Sequence, residues 1–346
     1  MKRLKQINGI KIIALLMIFW WHSDLPLPKM DFGARGCEIF FLISGFLFCY
    51  SYKNKPISLT IKDSFLYAQK KLSVFFPLHL CTLFMRGTIN CFFGVEIDVW
   101  KAVLNVLLLQ SWSTDETVYF SFNGVSWFLS SLMFCVFLSP FLARLIKDPK
   151  WKVLYFPFVL GLEFIVCANI GNVCGIFHIF PYISPIVRMF EYFLGMMIAD
   201  FYLSAVSKSE DNRNILFTMS ELIVIAAYVF LASTRTEWNR AWFVFLFGVV
   251  LFVFSFDKGM ISFLLSNKLF QMFSNIQFEF YMFHSTALIL MRKFIPSATL
   301  QGAVMRFAAA FALTVIMSAV YRKLLKQKLE EVMKWLFGKM NRWILE

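Results

Sequence analysis

The sequence predicts an all-α, polytopic integral membrane protein of about ten transmembrane helices, with both termini on the cytoplasmic side. Three observations predict it. Hydrophobic residues fill 59% of the 346 positions and charged ones only 16%, proportions foreign to a soluble domain. Apolar windows of roughly 20 residues recur from end to end. Lys and Arg gather in alternate loops between those windows, as cytoplasmic loops do. The net charge of +13 therefore reads as a topology signal and a contact for anionic membrane lipid, and nucleic acid is not expected as a partner.

Taken in order, the expected spans cover residues 9–27, 36–52, 73–93, 125–145, 153–170, 183–203, 215–233, 240–256, 276–291 and 302–321. The first follows "MKRLKQINGIK" and ends in the bulky "FWWHSD", which offers no small-residue cleavage site, so it is expected to stay as a helix rather than leave as a signal peptide. "VWKAVLNVLLLQSW", residues 99–112, is too brief to cross unaided and reads as interfacial or re-entrant. Basic residues fall on one set of loops: "MKRLK", then Lys53, Lys55, Lys62, Lys70 and Lys71, then Arg144, Lys147, Lys150 and Lys152, then Lys208 and Arg213, then Lys258 and Lys268. The alternate loops, "STDETVYFSFNG", "NIGNVCGIFH" and "STRTEWN", are acidic or mixed. An even number of crossings follows. In the tail, Leu325, Leu329, Val332, Met333 and Leu336 share a stripe with lysines opposite, the pattern of a helix lying on the inner leaflet. The expected organisation is one transmembrane domain over 1–321 and a basic amphipathic tail over 322–346.

Seven cysteines, odd in number and scattered, do not suggest a disulfide framework. No CxxC, HExxH or Cys/His cluster at zinc spacing occurs, and no metal is expected. Ionisable residues inside apolar spans carry the interest, because each costs roughly 2.5–3.5 kcal/mol at a helix centre. Lys11 and His22 stand eleven residues apart, about 20° past three full helical turns and about 16 Å along the axis, so they share a face. Lys11 either snorkels to the headgroups or lines a path. His22, beside Trp20 and Trp21, is either a hydrogen-bonded structural histidine or a base. Glu38 opens the second span; with the turn centred near Met30, His22 and Glu38 lie eight residues to either side. A carboxylate there suits the orientation of an imidazole, or faces water at the interface. Ser44 and Gly45 are small enough for close helix packing.

Lys11 followed by His22, and then "GCEIFFLISGF", resemble the first two signatures of the membrane acyltransferase type 3 family. "YAQKKLSVFFPLHL" is similar to its basic stretch before a proline in the third span. "NGVSWFLSSLMFCVFLSP" resembles its tryptophan-led fourth span, beginning at Trp127. "RMFEYFLGMMIA" resembles its Arg-x-x-x-aromatic-x-x-Gly helix, and "FEFYMFHSTAL" its late Tyr-x-x-His. The order matches over most of the chain. Two positions depart from the pattern: the third-span pair of arginines becomes Lys71 and Val74, with Lys70 or Arg86 as stand-ins, and the fourth-span glutamate becomes Leu132.

The resemblance implies an acyltransferase moving an acyl group, usually acetyl and sometimes succinyl, from acyl-CoA (acetyl-CoA first) to a hydroxyl of an envelope glycan or lipid-linked saccharide. It implies a multi-pass protein of a cell membrane, the bacterial inner membrane first. Lys11, Lys70 and Lys71 would then meet the donor's phosphates, His22 would take the hydroxyl proton as general base, and Glu38 would hold its ring. Arg188 and His284 occupy motif positions where a side chain binds phosphate, steadies the thioester oxygen or pairs structurally. The competing reading is a glycan transporter or exporter with Lys11, His22, Glu38 and Arg188 as a relay. It expects symmetric halves, which the sequence lacks, although Pro77, Pro140 and Pro185 suit kinks. A non-catalytic scaffold fits the composition and leaves the ordered motifs unexplained.

Overall fold

The computed structural model describes residues 3–28, 31–52, 60–147, 149–167, 180–206, 213–233, 239–296 and 299–345, and every regular element among them is helical. In chain order they are α1 (Lys5–His22), α2 (Phe32–Tyr52), α3 (Ile61–Phe92), α4 (Val99–Val106), α5 (Glu116–Tyr119), α6 (Trp127–Lys147), α7 (Pro149–Cys167) and α8 (Pro185–Val206). There follow α9 (Ile215–Ser233), α10 (Asn239–Ser255), α11 (Met260–Leu265), α12 (Lys268–Ser274), α13 (Gln277–Phe294), α14 (Leu300–Leu324) and α15 (Lys326–Leu345). Short 3₁₀ turns at Gln110–Trp112 and Gly124–Ser126 complete the set.

Each expected span has a helix, but their character differs. Among the described residues, six are long and apolar enough to cross a membrane: Phe32–Tyr52, Ile61–Phe92, Gly124–Ile146, Pro185–Val206, Ile215–Ala232 and Leu300–Leu324. In α7 and α10 the apolar stretches are shorter, Leu154–Cys167 and Arg240–Ser255. Polar groups dilute the other two, Lys5, Gln6, Asn8 and Lys11 in α1 and Gln277, Glu279, Arg292 and Lys293 in α13. Helix α3 begins at residue 61 rather than 73, because Thr60 caps its first turn by accepting the Asp63 amide. Pro77 and Pro140 lie inside α3 and α6, whereas Pro185 opens α8 at a position where its missing N–H costs nothing. Lys53, Lys55 and Lys208, the segment "NIGNVCGIFH", Met30 and most of "STRTEWN" lie outside the described residues.

The chain divides into two compact units. The first comprises Met1–Ile18, Lys29–Leu59 and Leu138–Asn275. Its spine is the crossing of α2 over α8, around which α7 and α10 pack, with α9 against α10. Two glycines set that crossing. A Cβ on Gly45 would lie 1.8 Å from the Tyr192 carbonyl oxygen, and one on Gly195 would lie 1.9 Å from that of Leu42. The two backbones touch, so no larger residue fits either position.

The second unit comprises Phe19–Pro28, Thr60–Phe137 and Ile276–Glu346. Here α13 packs on α14 and on α3, and α15 lies along α3. Residues 99–112 form only the short helix α4 and a 3₁₀ turn, and polar bonds fasten the stretch between α4 and α6. His79 Nε2 meets the Asn105 carbonyl oxygen at 2.8 Å, Arg86 Nε donates to that of Phe122 at 3.1 Å, and Ser130 Oγ donates to that of Leu108 at 2.5 Å. Leu108 and Phe122 both adopt positive φ, 55° and 52°. That conformation is costly for a side-chain-bearing residue, and it persists where the surroundings over-determine it. The carbonyls of both residues are held in this way by α3 and α6. The tail stripe divides: Leu329 and Met333 are half-buried, while Leu325, Val332 and Leu336 stay exposed. The tail helix thus uses part of its apolar face on α3, and Lys326 pairs with Glu279 at 2.7 Å.

Replacing Gly195 by Val should lower the melting temperature of the detergent-solubilised protein, with a loss of roughly 1–3 kcal/mol or more typical of overpacking. Heating series read by size-exclusion chromatography measure it. Wild-type melting would mean that α2 and α8 do not cross at contact distance.

Candidate functional site

Helix α1 ends at His22 because the next residue redirects its hydrogen bonds. The Ser23 amide still reaches the Phe19 carbonyl at 3.1 Å, but its hydroxyl turns back to that of Trp20 at 2.7 Å. The terminal carbonyl groups left over require donors. Arg292 of α13 supplies one, Nη2 to the His22 carbonyl oxygen at 2.8 Å. The same guanidinium holds Asp24 at 3.0 Å, and Arg306 of α14 holds the other Asp24 oxygen at 2.6 Å. Arg306 also donates twice to the Ile295 carbonyl oxygen, at 2.8 and 2.6 Å. Partial burial works against the charge on Asp24, but the Arg292 and Arg306 hydrogen bonds outweigh it and hold the carboxyl below its ordinary value. One aspartate and two arginines therefore clamp the turn that carries His22.

His22 is half-buried, and its ring faces that of His284 on α13. Nδ1 of His22 lies 3.3 Å from Nε2 of His284, with ring centroids 5.1 Å apart. His284 is wholly buried. Its Nδ1 sits 2.5 Å from the Tyr281 carbonyl oxygen one turn back. Phe19 stands edge-on at 6.3 Å, and Phe19 itself packs on Phe280, Phe307 and Phe311. One side of the histidine pair is thus an aromatic wall.

Trp127 is buried at the head of α6, edge-on to Phe128, whose ring in turn meets Tyr281 at 5.4 Å. Two further bonds tie this region to α13: the Tyr281 hydroxyl donates to the Val125 carbonyl oxygen at 2.9 Å, and Asn123 donates to that of Met282 at 3.0 Å. Along α3, Lys70 is exposed and Lys71 half-buried with its ammonium 5.6 Å from the Tyr67 ring centre. Arg86, one stand-in for the altered third-span motif, is buried and spends its Nε on the Phe122 carbonyl.

The other sequence-predicted residues lie in the first unit. Lys11 is half-buried on α1. Glu38 belongs to a buried network: it binds Arg35 at 2.7 Å and Arg240 at 3.2 Å. Arg188, fully buried, holds Glu191 at 2.5 Å and directs Nε and Nη2 to the Tyr182 carbonyl oxygen at 2.8 and 2.5 Å. Arg240 links the two halves through Glu191 at 3.5 Å. Glu163 of α7 is also buried and accepts from the Cys167 thiol at 3.2 Å. Among the described residues, three arginines thus pair with two glutamates, and Glu163 is bonded to Cys167 on its own helix. Arg35, Glu191, Arg240 and Glu163 escaped the sequence reading, as did Asp24, Arg292 and Arg306. Part of this was legible: Arg35 with Glu38 and Arg188 with Glu191 are i, i+3 pairs that meet on one helical face. The links across helices were not.

Removing one partner from a buried ion network strands the others, typically at 3–5 kcal/mol. Glu191→Gln should therefore cut folded yield sharply, which chromatography of the solubilised protein reads; unchanged yield would show that the network is not needed for folding. The Asp24 clamp has its own signature. With a lowered folded-state value, its contribution is complete above the ordinary carboxylate range near ~4 and is lost as pH falls through that lower value. Melting temperature followed from about pH 5 to about pH 2 should show an acid loss that Asp24→Asn reduces; identical curves would disprove the clamp.

Comparison with known proteins adds three findings. The family model described as an acyltransferase domain matches residues 4–323. Acyltransferase MdmB of Streptomyces mycarofaciens is 25% identical over 227 residues, an alignment covering 57% of this chain and 57% of that relative's length. No solved structure matches.

Proposed function

The chain belongs to the acyltransferase 3 family, and on that premise we propose that it is a membrane O-acyltransferase acting on carbohydrate. It carries an acyl group, acetyl first, from a cytoplasmic acyl-CoA to a hydroxyl of an envelope glycan or its lipid-linked precursor. Ten spans with both termini cytoplasmic, in a bacterial inner membrane, form the catalytic domain over 1–321; the basic tail over 322–346 rests on lipid. The observation that carries this reading is His22. A half-buried imidazole sits on a clamped helix end, against an aromatic wall, at the position where the family resemblance places its base.

The chemistry needs a proton acceptor with a value near neutrality, and an imidazole is the ordinary choice. His22 takes the proton of the acceptor hydroxyl as its oxygen attacks the thioester carbonyl. The C–S bond then breaks, and the departing thiolate recovers that proton. Lys11, Lys70 and Lys71 are the cations assigned to the donor's pyrophosphate and 3′-phosphate. For Arg188 the pairing role is the better assignment, since Glu191 and the Tyr182 carbonyl occupy its nitrogens. Trp127 packs the head of α6.

The purified full-length protein, given acetyl-CoA, should release free thiol slowly, water standing in for the sugar hydroxyl. His22→Ala should abolish that release and the acylation of envelope glycans while the protein still inserts. Glycans acylated as in wild type would refute the mechanism. Lys71→Ala should raise KM for acetyl-CoA several-fold at nearly constant kcat, the mark of lost ground-state binding; a fall in kcat alone would remove Lys71 from the donor site.

A further inference from the structure

His284 has a definite hydrogen-bond polarity, and it dictates that of His22. The Tyr281 carbonyl oxygen, 2.5 Å from His284 Nδ1, can only accept, so Nδ1 carries the proton of the neutral ring. Nε2 of His284 is then a lone-pair nitrogen. It faces Nδ1 of His22 at 3.3 Å, and a bond there requires the proton to sit on His22 Nδ1. In neutral His22 the remaining lone pair is therefore on Nε2. An isolated neutral histidine exchanges between tautomers, and the Nε2-protonated one presents the wrong nitrogen.

We propose that His284 is a positioning residue which locks His22 in the Nδ1-protonated tautomer, so that Nε2 is the nitrogen that takes the acceptor's proton. The proposal rests on the reading of His22 as base. It moves the orienting task from Glu38, whose carboxylate is bound by Arg35 and Arg240, to a neutral ring. When His22 gains its proton, Nδ1–H becomes a charge-assisted donor to the same lone pair, which stabilises the imidazolium at the moment it forms. Complete burial of His284 and the rings of Phe19 and Tyr281 around it keep its orientation from relaxing. The backbone is held separately: Arg292 grips the His22 carbonyl, and Asp24 is shared between Arg292 and Arg306. Among the described residues, these three charged groups and His284 are ionisable groups placed beside the turn that carries His22.

The test uses full-length protein in detergent micelles with acetyl-CoA, thiol release as activity, and histidine-selective ¹⁵N labelling. His284→Phe keeps the apolar packing and deletes the acceptor; it should lower kcat by roughly 10²-fold to 10⁴-fold, the usual range for general-base effects, at unchanged KM. The acid limb of its pH profile should move, because the partner of Nδ1–H is gone. His284→Gln can place an amide oxygen near the same point and should recover to within about tenfold of wild type. The ¹⁵N shifts of wild-type His22 should report Nδ1–H and bare Nε2. Wild-type kcat and pH profile in His284→Phe, or Nε2–H in wild-type His22, would overturn the proposal; the spectrum decides the matter even if His284→Phe does not fold. Activity persisting in His22→Ala would sink the base reading itself, whereas an inactive His22→Ala beside a normal His284→Phe would sink only the positioning role.

Discussion

A charged side chain inside a bilayer has no water to turn to, and the arrangement of this protein follows from that one constraint. Each ionised or strongly polar group must find its complement within the chain. The buried glutamates and arginines of α2, α8 and α10 pair with one another within and across those helices. A set of this kind contributes little net stability compared with apolar packing. Its effect is on specificity: a wrong pairing of helices would leave an arginine facing hydrocarbon, so the network excludes alternative packings.

The same constraint shapes the end of α1 differently. There the unsatisfied groups are helix-terminal carbonyls, an aspartate and an imidazole, and the donors come from α13 and α14. The clamp of Asp24 by Arg292 and Arg306 fixes the backbone, while the pair of imidazoles fixes a ring. On the proposed reading of His22 as base, separate fastening of main chain and side chain is what preorganised catalysis requires, since a base must be held in both position and tautomer before its substrate arrives. A neutral histidine partner suits an apolar setting better than a carboxylate, because it orients the ring without adding a charge that would itself need burial.

The α4-to-α6 segment and the α2–α8 crossing show how the remaining backbone is accommodated. Two left-handed residues without glycine persist in that segment because α3 and α6 bond directly to their carbonyls. Two glycines let helices approach until main chains touch, so that van der Waals contact replaces a hydrophobic force that lipid cannot supply. Small residues and strapped turns thus do in this medium what apolar collapse does in water.

The amino-acid sequence by itself determined the class and the helices. Hydropathy depends on composition within a window, and the presence of a helix at each apolar stretch was legible for that reason. Ordered motifs identified the reaction family and singled out Lys11, His22, Glu38, Arg188 and His284. The i, i+3 pairs Arg35–Glu38 and Arg188–Glu191 were readable too, because helical geometry links residues one turn apart. Tertiary structure alone decided which groups meet across helices: His22 with His284, Asp24 with Arg292 and Arg306, and Glu38 with Arg240. Those partners lie more than two hundred residues apart in the chain. No local propensity encodes such a pairing; it is chosen by the joint packing of helices whose apolar faces look alike in sequence and differ only in where their few polar groups fall.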